Sequence, residues 1–145
     1  MKMIRLGGGV LLAAFMVFMG SQKFSASNPI FARIAEQSGI ELFEPVIRMA
    51  TGVAELVAAV LILLALFMGM FRGLGALLST GIIGGAIVFH LSPWLGISAP
   101  VGVDANGELV YSSMLFIMAV VFFVISAALT WLDRDELGKL LPGKG

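Results

Sequence analysis

Four stretches of the chain are almost continuously apolar, and short polar segments separate them. They cover residues 4–24, 46–70, 73–91 and 111–132, and each is close to the ~20 residues that a helix needs to cross a bilayer. The pattern predicts an all-α membrane protein, an antiparallel bundle of four transmembrane helices. With their short connections, these spans are expected to make residues 1–145 a single membrane domain.

The loop after the first span carries the signals of a further short helix. Asn28 is a good N-cap, Pro29 suits the first helical position, and Gly39 suits the end. An apolar face of Ile30, Phe31, Ile34 and Ala35 lies opposite Arg33, Glu36 and Gln37. We expect a short amphipathic helix in the first external loop, on the membrane surface or capping the bundle. The pattern equally fits an ordinary connecting helix.

Turn residues in the second external loop predict a small β-hairpin near residues 101–111. In the third span, Gly81 and Gly85 form a GxxxG pair, which is typical of helices that approach closely in membranes. We expect this pair to pack against another helix of the bundle.

The composition narrows the function. Hydrophobic residues make up 59% of the chain and charged ones 12%, below the roughly 25% of soluble domains. The formal net charge of +0 argues against a nucleic-acid partner. Without cysteine, and with His90 as the single histidine, the usual metal, haem and thiol redox centres lose their ligands. We expect no catalytic residues and no metal site within the chain.

Lysine and arginine are distributed unevenly between the two sides of the predicted bundle. One side carries Lys2, Arg5, Arg72, Arg134, Lys139 and Lys144, and the other carries Lys23, Arg33 and Arg48. Because the more basic side is usually cytoplasmic, we expect both termini in the cytoplasm. The first span also resembles a signal peptide, but Gln22 and Lys23 interrupt any clean cleavage region, so a retained helix is favoured.

One carboxylate, Glu55, lies inside the second span. A charge at bilayer depth costs at least about 2.5 kcal/mol, so such a residue usually has a partner or a function. Thr51, Gly52, Ala58 and Ala59 share its helical face. Because a small, polar strip belongs against other helices and not lipid, Glu55 is expected to face protein.

Basic side chains are expected near this carboxylate. With a rise of 1.5 Å per residue, Glu55 lies about 10 Å below Arg48 at the outer interface. Lys23 ends the first span on that side, and His90 ends the third. Lys23 is the expected first partner of Glu55, followed by Arg48 and His90. The candidate site is a buried polar cluster that comprises Glu55, Lys23, Arg48, His90, Thr51 and Gln22.

Two interpretations of this cluster stay open. In the structural one, a basic partner neutralises Glu55 and the pair holds helices together. In the functional one, the cluster lines an outward-facing cavity for a polar headgroup, a proton or a small ligand.

The chain resembles the DoxX/DoxX-like family of small four-helix integral membrane proteins at three short places. They are Gly20-Ser21-Gln22-Lys23 closing the first span, Gly52-Val53-Ala54-Glu55 in the second, and His90 ending the third. The resemblance implies a bacterial inner-membrane protein that acts with partners. The name-giving member is a subunit of a thiosulfate:quinone oxidoreductase, and a eukaryotic relative assists receptor assembly. If redox work occurs here, a partner or a bound quinone carries the electrons.

The leading expectation is a non-catalytic membrane subunit that binds a lipid, a quinone or a partner helix near Glu55. It could be accessory to a membrane oxidoreductase complex, with membrane or soluble redox proteins as partners. The alternative is a small proton-coupled transporter that uses Glu55 and works as a homo-oligomer.

Overall fold

The computed structural model describes residues 1–25 and 28–140, over which the chain is mostly helical. The long helices are α1 (Lys2–Gln22), α3 (Val46–Met68), α4 (Leu74–Leu91) and α5 (Met114–Leu132). Within the described residues, four helical segments are long and apolar enough to cross a membrane. The prediction of a helical chain with four candidate spans is thereby confirmed. Lys144, one of the residues used to predict orientation, lies outside the described residues.

Shorter elements connect and extend these helices. They are α2 (Pro29–Ser38), a 3-10 turn (Glu41–Phe43), β1 (Ala99–Val103), β2 (Leu109–Ser112) and α6 (Arg134–Leu140). The two strands form an antiparallel hairpin between α4 and α5. We call the end of the molecule that carries α2 and this hairpin the hairpin end.

The fourth span begins later than residue 111, the predicted start. Tyr111 and Ser112 pair with Pro100 and Ala99 in the hairpin, and α5 begins only at Met114. Apolar content alone does not separate an apolar strand from the first turn of the helix that follows it. The small sheet is an addition to an otherwise helical fold.

The predicted amphipathic helix in the first loop is confirmed. The Asn28 side chain accepts hydrogen bonds from the backbone N–H groups of Ile30 and Phe31, and Gly39 ends α2 with a φ of 73°. The left-handed φ explains why glycine stands there. From this helix, buried Ile34 packs into a small apolar cluster whose other buried members are Phe43, Leu95 and Ala99. The helix therefore packs against the 3-10 turn and the hairpin.

The main core lies between the long helices. Its buried apolar residues include Leu12, Met16, Ala58, Ala59, Ile62, Ile83 and Leu129. Glycine permits the closest approach of α3 and α4, because a β carbon on Gly75 would lie 2.7 Å from the backbone nitrogen of Ile62. At the end opposite the hairpin, the Arg5 guanidinium bonds to the carbonyl of Leu132 and lies 3.0 Å from the Asp133 carboxylate.

Many large apolar side chains of the long helices face outward. Val10, Val53, Val60, Val88 and Val124 are all exposed on the isolated chain. In water such a surface would be unfavourable, whereas in a bilayer the same side chains contact lipid at little cost. The exposed faces therefore agree with the hydropathy of the four candidate spans.

Candidate functional site

The structure brings Lys23 and Glu55 together between α1 and α3. The Lys23 ammonium lies 2.9 Å from Oε1 of Glu55 and 2.8 Å from Oε2, and it also donates to the carbonyl of Met19. Lys23 and Glu55 are each only 6% exposed. The pair is therefore buried, a setting in which the loss of one partner is strongly destabilising.

Two glycines allow this pair to form. A β carbon on Gly20 would lie 3.1 Å from the β carbon of Glu55, and one on Gly52 would lie 3.0 Å from that of Lys23. In each helix the glycine stands three residues before the charged residue and packs against the charged residue of the other helix. The two G-x-x-charge segments thus fit together reciprocally, and the small residues bring the long side chains within ion-pair distance.

Arg48 does not bond to Glu55, the partner considered for it from the sequence. Its guanidinium lies 2.7 Å from the Glu44 carboxylate and also donates to the backbone carbonyls of Lys23 and Ser25. Its carboxylate partner is thus Glu44 and not Glu55, with which it was expected to pair. Arg48 thereby holds the chain where α1 ends, which positions Lys23 indirectly. The i,i+4 spacing of Glu44 and Arg48 was the available signal for this pair.

His90 is buried, and its ring packs edge-to-face with that of Phe116, with the ring centres 5.7 Å apart. Its Nδ1 lies 2.9 Å from the carbonyl oxygen of Gly96. A carbonyl only accepts hydrogen bonds, so Nδ1 carries a proton and Nε2 of a neutral ring keeps a free lone pair. His90 is thus fixed by the loop after α4, while Lys23 partners Glu55.

A cavity of about 470 Å³ lies beside the Lys23–Glu55 pair and extends to α2 at the hairpin end. Its volume falls within the range of about 300–1,000 Å³ that is typical of small-molecule sites. The polar residues that line it are Gln22, Lys23, Asn28, Thr51, Glu55 and His90. Most of the remaining wall is apolar and includes Phe15, Met19, Phe31, Ile83, Phe89 and Leu115. Five of the six predicted cluster residues therefore line one cavity. The sixth, Arg48, is not in its wall and instead bonds to the backbone where α1 ends.

Thr51 and Gln22 have different surroundings within this wall. The Thr51 hydroxyl donates to the carbonyl of Ile47 one turn earlier, which leaves its oxygen able to accept a further bond. Gln22 is exposed at the end of α1. Asn28, which was predicted only to cap α2, also contributes to the wall.

The GxxxG pair of α4 lines the cavity instead of packing against a helix. A β carbon on Gly81 or on Gly85 would meet no atom within 4 Å, whereas one on neighbouring Gly84 would lie 3.2 Å from Phe123. The expectation of close helix packing at Gly81 and Gly85 was therefore wrong. Their missing side chains leave space in the cavity, and Gly84 makes the helix contact.

Helix α2 contributes to the wall at the hairpin end. Ile30, Phe31 and Ile34 line the cavity, and the Lys23 ammonium lies 6.0 Å from the centre of the Phe31 ring. On the polar face of α2, Arg33 lies over the ring of Tyr111 and donates to its hydroxyl. This contact links α2 to the hairpin strand that leads into α5.

No group of three or more histidine, cysteine, aspartate or glutamate side chains suited to a metal ion occurs among residues 1–25 and 28–140. A scan against protein-family models, a search of curated proteins and a search of solved structures each found no match to this chain.

Proposed function

We propose that this protein is a non-catalytic membrane subunit that binds one small lipophilic molecule, a lipid or a quinone, in the cavity beside Lys23 and Glu55. One observation carries the proposal: a mostly apolar cavity of ligand size is lined by a buried ion pair and by a histidine whose Nδ1 is held by the Gly96 carbonyl. Apolar walls with a few placed polar groups are the usual form of a small-molecule site.

The proposal includes an arrangement in the membrane. The four long helices form an antiparallel bundle with both termini in the cytoplasm, so the cavity opens on the outer side. The contacts of α1 with α3 at Gly20 and Gly52, and of α3 with α4 at Gly75, support this arrangement. The resemblance to the DoxX-like family further suggests a bacterial inner membrane and a membrane oxidoreductase complex, with redox proteins as partners.

Filling the cavity tests the proposal. Native mass spectrometry of the protein extracted in mild detergent is expected to reveal one bound small molecule. Gly85→Leu places a side chain in the cavity and is expected to remove that molecule while the unfolding temperature changes little. Gly7→Leu is the matched control, because Gly7 is an exposed helical glycine with no atom near its β-carbon position. A Gly85→Leu protein that retains the molecule, or a wild type without one, would contradict the proposal.

A proton-coupled transporter that works as an oligomer is the second candidate. The observation in its favour is that the Glu55 carboxylate is buried and yet lines the cavity. Intramembrane carboxylates of this kind serve as proton carriers in transporters. Substrate-driven proton movement in proteoliposomes would support this function if Glu55→Gln abolished it, and the absence of Glu55-dependent flux would exclude it.

A further inference from the structure

The ionisable groups that line the cavity are two opposite charges and one imidazole. They are Lys23, Glu55 and His90, while Gln22, Asn28 and Thr51 contribute neutral amides and a hydroxyl. The Lys23 ammonium nitrogen lies 2.8 Å from Oε2 of Glu55. Whether both groups are ionised or the ammonium has passed one proton to the carboxylate, the pair has no net charge, and His90 adds none at a pH at which imidazole is neutral.

This balance decides which ligand headgroup the site tolerates. A charged headgroup would leave water for a mostly apolar cavity in which the lysine and the glutamate already satisfy each other. A buried charge without a partner is costly, and breaking the pair to supply one would expose the second charge. A neutral headgroup with a hydroxyl or carbonyl can bond at the edge of the pair, at Thr51 or at His90, and leaves the pair intact.

The apolar wall accommodates the rest of such a molecule. Gly81 and Gly85 leave a side-chain-free surface on α4, and Ile82, Ile83 and Ala86 of the same helix also line the cavity. Phe15 and Met19 of α1 line it as well. An apolar chain or ring fits this space without any polar group having to be buried alone.

We infer that the cavity selects an uncharged amphiphile, with a hydroxyl or carbonyl head at the Lys23–Glu55 pair and an apolar body along the glycine surface of α4. This inference rests on the proposed function and adds the charge class of the ligand. Long-chain alcohols, monoacylglycerols and other neutral lipids of this kind belong to the class, whereas anionic phospholipids and cationic amphiphiles do not.

Three probes with the same chain test the inference. Hexadecanol is neutral, hexadecyl sulfate is anionic and hexadecyltrimethylammonium is cationic. Binding is measured on the full chain in nanodiscs of zwitterionic lipid at about pH 8, above the range in which imidazole ordinarily titrates. We expect the wild type to bind hexadecanol at least about tenfold more tightly than either charged probe.

Single substitutions in the pair provide the decisive comparison. Glu55→Gln leaves the lysine without its partner, so the preference is expected to change to hexadecyl sulfate. Lys23→Met leaves the glutamate alone and is expected to change it to hexadecyltrimethylammonium. Glu36→Gln, the same change on the exposed face of α2, is expected to keep the wild-type order. Circular dichroism checks that each variant remains helical.

The outcomes separate this inference from the proposed function. Equal or tighter binding of a charged probe by the wild type would overturn the selectivity and leave a binding cavity standing. An unchanged order of affinities in both folded pair variants would also overturn it. If no probe binds, the inference fails, and native mass spectrometry without a bound molecule would then remove the proposed function as well.

Discussion

Gly20 and Gly52 face each other where α1 crosses α3, and a β carbon on either would lie 3.1 Å from the carbonyl oxygen of the other. That distance is shorter than ordinary van der Waals contact, so any side chain at either position would require the two helices to move apart. Because Lys23 and Glu55 follow these glycines by three residues, the crossing also sets the distance between the charged groups. Packing and ion pairing at this site are therefore one structural feature.

Gly20→Leu should separate the two helices. We expect a loss of about 1–3 kcal/mol of unfolding free energy, as is usual when a close-packed site is overfilled. Steric-trap or denaturant unfolding in detergent measures it. Gly7→Leu changes an exposed glycine of the same helix and is expected to have no destabilising effect. Equal stability of the two variants would contradict the close approach.

Asp104 organises the tip of the hairpin and gives it a pH dependence. Backbone N–H groups of Glu108 and Asn106 donate to its carboxylate at 2.9 and 2.8 Å and lower its pKa, the Glu108 bond contributing most. Since the folded pKa is the lower one, the stabilisation is complete above about pH 4 and is lost as the pH falls through the folded value. NMR shifts of the two amide protons should follow this titration. In Asp104→Asn they should stay constant, and a persistent titration would contradict the assignment.

Thr80 of α4 and Ser126 of α5 provide a test of how the helices are arranged. Their hydroxyl oxygens lie 3.0 Å apart. The hydroxyl oxygen of Thr130, also on α5, lies 3.4 Å from that of Thr80. Cysteine is close in size to both residues, so two sulfurs in these positions are expected to come near enough to form the bond of about 2 Å in a disulfide. The Thr80→Cys, Ser126→Cys protein is expected to lose both free thiols on mild oxidation, as thiol titration shows.

The chain has no cysteine of its own, so the thiol signal belongs to the introduced pair. Thr80→Cys combined with Ser112→Cys is the control, because Ser112 lies in β2 at the hairpin end. It should retain its thiols under the same oxidation. If both pairs cross-link equally, or neither does, Thr80 of α4 and Ser126 of α5 do not face each other.

The helices were predictable from sequence because their signals are local. Runs of about 20 apolar residues define the spans, and Asn28 and Gly39 mark the ends of α2 through capping and a left-handed φ. The proximity of Lys23 and Glu55 also followed from helix ends and spacing. The spans and the ends of α2 each depend on a single element. The Lys23–Glu55 pair depends on two helices, and the depth of each residue in the bilayer follows from its distance along the helix from the interface.

The rest depends on how each helix is rotated about its axis, which local patterns do not determine. Helix α4 offers small residues on several faces, so the sequence did not distinguish Gly84, which packs, from Gly85, which lines the cavity. Arg48 had carboxylates available at positions four before and seven after it. Its choice of Glu44 depends on the carbonyls at the end of α1, which only the tertiary fold brings near.

The proposed orientation is open to direct labelling. Asn106 lies at the exposed tip of the hairpin, which precedes α5. Lys139 is exposed in α6, which follows the other end of α5. With both termini in the cytoplasm, Asn106→Cys should react with a membrane-impermeant maleimide in intact cells. Lys139→Cys should react only after permeabilisation. The reverse pattern would contradict the orientation inferred from lysine and arginine.

The Lys23–Glu55 pair allows the structural and binding roles to be separated by a double-mutant cycle. Lys23→Met or Glu55→Leu alone should cost about 3–5 kcal/mol of unfolding free energy, because each leaves a buried group without its partner. The double variant should recover most of that loss, since neither charge remains. If the pair only holds the helices together, the double variant keeps the bound molecule seen by native mass spectrometry. If the pair receives the ligand headgroup, as we propose, stability returns in the double variant and binding does not.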